Sequence, residues 1–291
     1  MLIHRSDGKE LKKIPAVFRI IPVLMKYRND AEVYFKQDIE IEEMDKYLAR
    51  KLEEGINLSH MDILFTAIIR TLSQRPHLNR FVMHGKIYAR NDIEISISIK
   101  KKMSDDGTES TLKIKFDGTE TLFQVHDILQ KAISDNKDED EINSGADKLT
   151  QVLEHVPTWA LRYGIAIVRF LDNHSMLPKS IIKISPFHTS AFVTNVGSIG
   201  IDSIYHHIYN IGTTSMFFAM GKKKKSYIYE DDENTGEPGI KEEKCINIAF
   251  VGDERICDGY YYATSFKKLC RYLKHPETLE KSVERQYDDE I

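Results

Sequence analysis

Between Ser59 and Phe116 the apolar residues change their period, and that change confines the chain to folds mixing helix with sheet. In LSHMDILFTAIIRTLSQRP (58–76), Ile63, Leu64, Ala67, Ile68, Thr71 and Leu72 recur at helical spacing. Ser59 is placed to cap the start of this helix and Pro76 to end it. In KIYARNDIEISISIKKK the alternation Ile93, Ile95, Ile97, Ile99 has a period of two, as a strand requires. STLKIKF (110–116) alternates as well. Gly107 lies between the two runs, so 93–116 predicts a hairpin.

The same reading extends along the chain. Residues 14–35 begin apolar and end in a strand-like run. IEEMDKYLARKLEEG (41–55) predicts a charged surface helix stopping at Gly55. Helices are expected over 121–133, 145–156 and 157–171, the last two separated by Pro157. The acidic run 134–141 reads as a solvated helix end or loop. SAFVTNVGSIGI (190–201) predicts a strand and a glycine-marked loop. TTSMFFAMGKKKKSYIYE (213–230) predicts two strands around a basic turn. DDENTGEPGIKEE predicts a polar loop, and KCINIAFVGDER a final strand. A helix over 259–274 puts Tyr262, Phe266, Leu269 and Leu273 on one face. The expected class is α+β: a mixed β-sheet sandwich with helices on one face. The chain reads as a single domain over 1–291, with a polar N-terminal arm (1–13) and a polar C-terminal tail (278–291).

Composition narrows the function classes. A net charge of −4 gives no basic footprint for nucleic acid. No run approaches the ~18 apolar residues that span a bilayer, and the N-terminus has no apolar segment of the signal-peptide kind. A cytoplasmic location is the resulting expectation. Cys245, Cys257 and Cys270 are sparse, odd in number and without CxxC spacing, so neither zinc nor a disulfide framework is expected. His206 and His207 in YHHIYN (205–210) have no third ligand nearby in sequence and read as loop.

Four segments, in order, carry a resemblance. They are LFTAIIRTLSQRPHLNRFVMHGKIYARNDIEISISIKK, AFVTNVGSIGID, SMFFAMGKKKK and DERICDG with the helix after it. Together they resemble the catalytic domain of the dihydrolipoyl acyltransferases of 2-oxo acid dehydrogenase complexes, which shares the chloramphenicol acetyltransferase fold. The second segment is similar to that family's FTISNLGxxG and the fourth to its DHRxxDG. The likeness spans roughly residues 15–276. No lipoyl domain or peripheral-subunit-binding domain is expected in this chain. The resemblance implies coenzyme A or acyl-coenzyme A as substrate, no metal, and a homotrimer with active sites between subunits. Thr194 of one chain would then face the 253–259 loop of its neighbour.

The resemblance also assigns roles. Acyl transfer between thiols needs a base for the attacking thiol, donors for the oxyanion and a pocket that orders both substrates. Thr194 matches the family's oxyanion-donating hydroxyl residue; its other reading is an ordinary strand residue. Asn195 is a second donor or a turn former. Glu254 stands where the family has its catalytic histidine. A glutamate at ~4.3 and a thiol at ~8.5 leave proton transfer uphill by roughly 5–6 kcal/mol. Burial could narrow that gap, yet a glutamate that takes the proton becomes merely neutral, where a histidine becomes cationic and helps the oxyanion. Glu254 is therefore either the catalytic base or a structural or altered-specificity residue. Asp258 matches the family's loop-anchoring aspartate, which an arginine holds; Arg19 and Arg28 are the candidates. Its plain reading is a helix N-cap. Lys222–Lys225 could attract a polyanion such as coenzyme A or could simply be solvated. Two function classes follow: a free-standing acyltransferase with an unknown acceptor, or an inactive trimeric binding or scaffold module.

Overall fold

The computed structural model describes residues 5–100, 109–136, 156–231 and 238–288. In chain order its strands and helices are β1 (Gly8–Glu10), α1 (Ala16–Leu24), β2 (Glu32–Glu40), α2 (Glu42–Glu53), α3 (His60–Gln74), β3 (Arg80–Met83), β4 (Lys86–Arg90), β5 (Ile93–Lys100), β6 (Glu109–Phe116), α4 (Leu122–Ser134), α5 (Thr158–Asn173), α6 (Lys179–Ile184), β7 (Ala191–Asn195), β8 (Met216–Asp231), β9 (Pro238–Asp253) and α7 (Gly259–Lys274).

Helix α3 is the element around which the core forms. The Ser59 hydroxyl accepts from the Asp62 N–H, and the Asp62 carboxylate accepts from the Ser59 N–H, closing a capping box. Ile63, Leu64, Phe65, Ile68, Ile69 and Leu72 are all fully buried. Each contributes roughly 1.5–3 kcal/mol relative to an exposed side chain. These residues meet the inner face of a six-stranded mixed sheet of order β2-β9-β8-β7-β5-β6. That face supplies Ile95, Val193, Phe218 and Phe250 to the same core, with α4 and α7 closing it. The α+β mixed-sheet architecture is thus as expected, with helices on one face. On the other face Phe192, Phe217 and Val251 are covered by Phe187 and Ile208. A smaller sheet of order β1-β4-β3 stands beside it.

The predicted hairpin is present as the antiparallel β5–β6 pair. Its turn, residues 145–155 of the predicted 145–156 helix and residues 232–237 of the predicted 231–243 loop lie outside the described residues, while 238–243 of that loop belong to strand β9 instead. Strand β7 runs parallel to both β5 and β8, with Ala191, Phe192 and Val193 buried on alternating faces.

Three expectations need correction. Lys222–Lys225 form no turn: they sit within the continuous sixteen-residue β8, just after a register shift between Met220 and Lys223. Antiparallel pairing with the equally long β9 carries the backbone through the basic run, and acids on neighbouring elements offset its charge. Residues 5–10 are no free arm. β1 pairs with β4, and the buried Arg5 bonds Asp7 at 2.8 Å and Asp172 at 2.8 Å. The C-terminal tail also docks, through Arg80 and Asp288 at 2.6 Å, both buried.

Helix α5 is the exception to this packing. Trp159, Tyr163, Ile167 and Phe170 line one stripe and are 58–68% exposed. On α1, Val17, Ile20 and Leu24 form a second exposed apolar stripe. Contiguous apolar surface of this kind marks an interaction face.

Candidate functional site

The DERICDG turn is held from inside. Asp253, the last residue of β9, is fully buried. Its carboxylate receives Arg255 Nε and Nη2, each at 2.7 Å, and the Arg255 N–H at 3.1 Å. Arg28 Nε approaches the same carboxylate at 3.5 Å. The buried Tyr262 hydroxyl donates to the Asp253 carbonyl at 2.8 Å. Arg28 also donates to three backbone carbonyls, those of Tyr209, Val82 and Gly212. The turn is therefore fixed to the segment after α1, to β3 and to the 209–212 segment at once.

Glu254, next to this anchor, is exposed. Its N–H donates to the Ala31 carbonyl at 2.8 Å. Among the described residues its carboxylate has no hydrogen-bond or ion-pair partner. It borders a groove of about 730 Å³ between α7 and the edge strand β2. Val33, Phe35, Ile39, Phe266 and Cys270 give the groove an apolar wall. Lys267, Arg271 and Lys274 follow one another along its α7 rim. That i, i+4, i+7 spacing was legible in the sequence, but the groove it borders was not.

Asp258 is the N-cap of α7. Its Oδ1 accepts from the Tyr261 N–H at 2.7 Å. The expected arginine partner is not there: Arg28 pairs with Asp253, and Arg19 is exposed on α1. The physical reason is burial. Asp253 has no exposed surface and needs a cation, whereas Asp258 is exposed and satisfied by backbone N–H.

Thr194 and Asn195 close β7. Asn195 Oδ1 accepts from the Ser198 N–H at 3.2 Å and caps a short 3₁₀ turn. The Thr194 hydroxyl makes no hydrogen bond among the described residues. The glycines after it serve the backbone. Gly200 has φ +80°, a conformation favoured by glycine. A Cβ on Gly197 would come within 2.5 Å of the Gly221 carbonyl oxygen, so β8 and the 3₁₀ turn approach too closely for any side chain.

The structure does not bring Thr194 and Glu254 together in one chain. Thr194 is level with Ala219 on β8, which is level with Ala249 on β9. Glu254 lies five residues further along. At ~3.3 Å per residue and ~4.8 Å between strands the separation is about 19 Å.

The other sequence candidates are accounted for structurally. Lys223 pairs with Asp45, Lys224 with Asp38 and Lys225 with Glu242. His206 stacks on Phe217 with ring centroids 4.2 Å apart. No cluster among the described residues could hold a metal ion. Burial pushes the thiols of Cys245, Cys257 and Cys270 up from their usual range, so none is primed as a nucleophile. Among the described residues no helix is long and apolar enough to cross a membrane.

Comparison with known proteins agrees with this architecture. The model of the 2-oxoacid dehydrogenases acyltransferase catalytic domain matches residues 182–280. No curated protein sequence matches the chain. Among solved structures, a probable dihydrolipoamide acetyltransferase from Listeria monocytogenes superposes with a TM-score of 0.53 at 16% identity, covering 92% of this chain and 94% of that one. The cubic core of the pyruvate dehydrogenase multienzyme complex gives 0.56 at 12%, covering 93% and 94%. A chloramphenicol acetyltransferase gives 0.51 at 10%, covering 91% and 99%. At such identities these likenesses establish the fold. The chain has the chloramphenicol acetyltransferase-like fold of acyltransferase catalytic domains, and its residues 182–280 carry the sequence match to the 2-oxoacid dehydrogenase acyltransferases.

Proposed function

We propose that the protein transfers an acyl group from a coenzyme A thioester at a site shared between two subunits of a homotrimer, with Glu254 in the position of the base. The observation that carries this reading is the strand register, which sets Thr194 and Glu254 ~19 Å apart within one chain, with Thr194 half-buried and Glu254 exposed. A hydroxyl donor and a base can then serve one reacting centre only if they come from different chains. The exposed apolar stripes on α1 and α5 favour such an assembly.

The groove beside Glu254 suits the proposed substrate. Its apolar wall matches an acyl or pantetheine-like chain, and Lys267, Arg271 and Lys274 offer positive charge to phosphates. In this scheme Glu254 takes the proton of the acceptor, and the Thr194 hydroxyl of the neighbouring subunit donates to the oxyanion of the tetrahedral intermediate. The intermediate then collapses with loss of the coenzyme A thiolate, which takes up the proton. Glu254 is exposed in the single protomer, so only a covering subunit or substrate can desolvate it into an effective base.

One observation favours a second reading. Among the described residues none holds the Glu254 carboxylate by a hydrogen bond or ion pair, which is the state expected if the module binds without catalysis. The test is thioester consumption with acetyl-coenzyme A and thiol, amine and alcohol acceptors. Turnover that is lost in Glu254→Gln supports the catalytic reading. Turnover unchanged in that variant removes Glu254 from the mechanism, and no turnover with any acceptor favours the binding module.

A further inference from the structure

We propose that a second cleft, between α1, the β3–β4 turn and the 209–212 segment, is an anion site that takes a phosphoryl group. It has a volume of about 420 Å³ and lies apart from the groove that Glu254 borders. Five cationic or potentially cationic side chains line it: Lys26, Arg28, His84, Arg169 and Arg255. Asp172 is the one carboxylate among its described lining residues, and it is already engaged by Arg5 at 2.8 Å and by His188 at 3.1 Å.

The charge does not balance inside the protein. Arg28 and Arg255 are both buried, and both rest on Asp253. Arg255 holds that carboxylate through two nitrogens. Arg28 Nε is left without a hydrogen-bond partner, 3.5 Å from Asp253 Oδ2. Two buried cations thus share one anion. Burial pulls the Arg28 guanidinium down to about 10, with Asp253 opposing, so it stays charged at neutral pH. An uncompensated buried charge is costly unless a counter-ion arrives. At the mouth, Lys26 and Arg169 are exposed and meet no carboxylate among the described residues.

The donor geometry favours a phosphoryl group over a carboxylate. The Nη groups of Arg28 and Arg255 donate to Asp253 or to backbone carbonyls, so they supply field rather than a fork. The donors that face the cleft come from three elements: Lys26 after α1, His84 in the β3–β4 turn and Arg169 on α5, whose Nη2 also donates to the Asn210 carbonyl at 3.3 Å. Three donors from three sides of one cleft suit three terminal oxygens, whereas the two coplanar oxygens of a carboxylate are best met by a single guanidinium fork.

The test is isothermal titration of the full chain with inorganic pyrophosphate at low and at physiological salt. Saturable binding that weakens with salt is expected, with affinity about tenfold or more lower in Lys26→Ala/Arg169→Ala. Both residues are exposed, and a thermal melt confirms that the double variant folds. Lys222→Ala/Lys225→Ala, on β8 and outside the cleft lining, is expected to bind as the parent does. Absence of saturable binding, or equal affinity in the Lys26/Arg169 variant, overturns the site. Acetate binding as tight as pyrophosphate overturns the phosphoryl assignment. Displacement of pyrophosphate by coenzyme A identifies the phosphates of that molecule as the source, and failure to displace identifies a separate phosphorylated ligand; the site stands in either case. The readout is binding alone, so it stands or falls independently of acyl transfer.

Discussion

Arg28 Nε stands 3.5 Å from Asp253 Oδ2, and this approach ties the segment after the N-terminal helix to the turn that presents Glu254. Arg255 clamps the same carboxylate from within the turn. The position of the candidate base is therefore set by a residue more than two hundred positions away in sequence.

Asp253→Asn should be strongly destabilising. It leaves two buried guanidiniums without their anion, and breaking a buried pair costs about 3–5 kcal/mol. Urea denaturation followed by circular dichroism measures it. A loss below about 1 kcal/mol would mean that the arginines find another partner.

Asp258→Ala should cost much less, about 0.5–2 kcal/mol, because the residue acts as an N-cap on the Tyr261 N–H. Asp258→Ser should recover most of that stability. A loss as large as that of Asp253→Asn would indicate an arginine anchor at Asp258 instead.

Phe170→Asp places a charge in the exposed apolar stripe of α5. If the stripe is a subunit interface, sedimentation velocity should show the oligomer dissociating to single chains while the far-ultraviolet spectrum is unchanged. An unaltered sedimentation coefficient would assign the stripe to another partner.

Acid should loosen the N-terminal segment. Burial works against ionising Asp7 and Asp172, but hydrogen bonds and charge from Arg5, and for Asp172 above all from His188, hold both below their ordinary 3.8. A carboxylate lowered in the folded state contributes stability above its unfolded pKa and loses it as pH falls through the folded one. Stability should therefore drop below about pH 3.8. Asp172→Asn should be weaker at neutral pH yet lose less on acidification, measured as the urea midpoint against pH.

Much of the fold was legible because local chemistry and tertiary packing agree. The Ser59 cap, the Ile93–Ile99 alternation and the 259–274 helix are all found where spacing puts them. The lysine run misled because four consecutive charges resemble a turn, whereas pairing with β9 and acids on neighbouring elements keeps it in a strand. The role of Asp253 was hidden for a different reason. Nothing within DERICDG distinguishes the buried aspartate from the exposed one; only the sheet, which ends at Asp253, decides it. The clefts were not legible at all, since each is assembled from segments far apart in sequence.

The shared site is tested most directly by proximity between chains, without recourse to activity. Thr194→Cys and Glu254→Cys can be made in separate proteins, mixed, and treated with a thiol cross-linker shorter than their separation within one chain. The account predicts covalent dimers in the mixture that neither variant yields alone. Cross-linking no greater in the mixture than in the separate variants, from a protein that sediments as single chains, would contradict it.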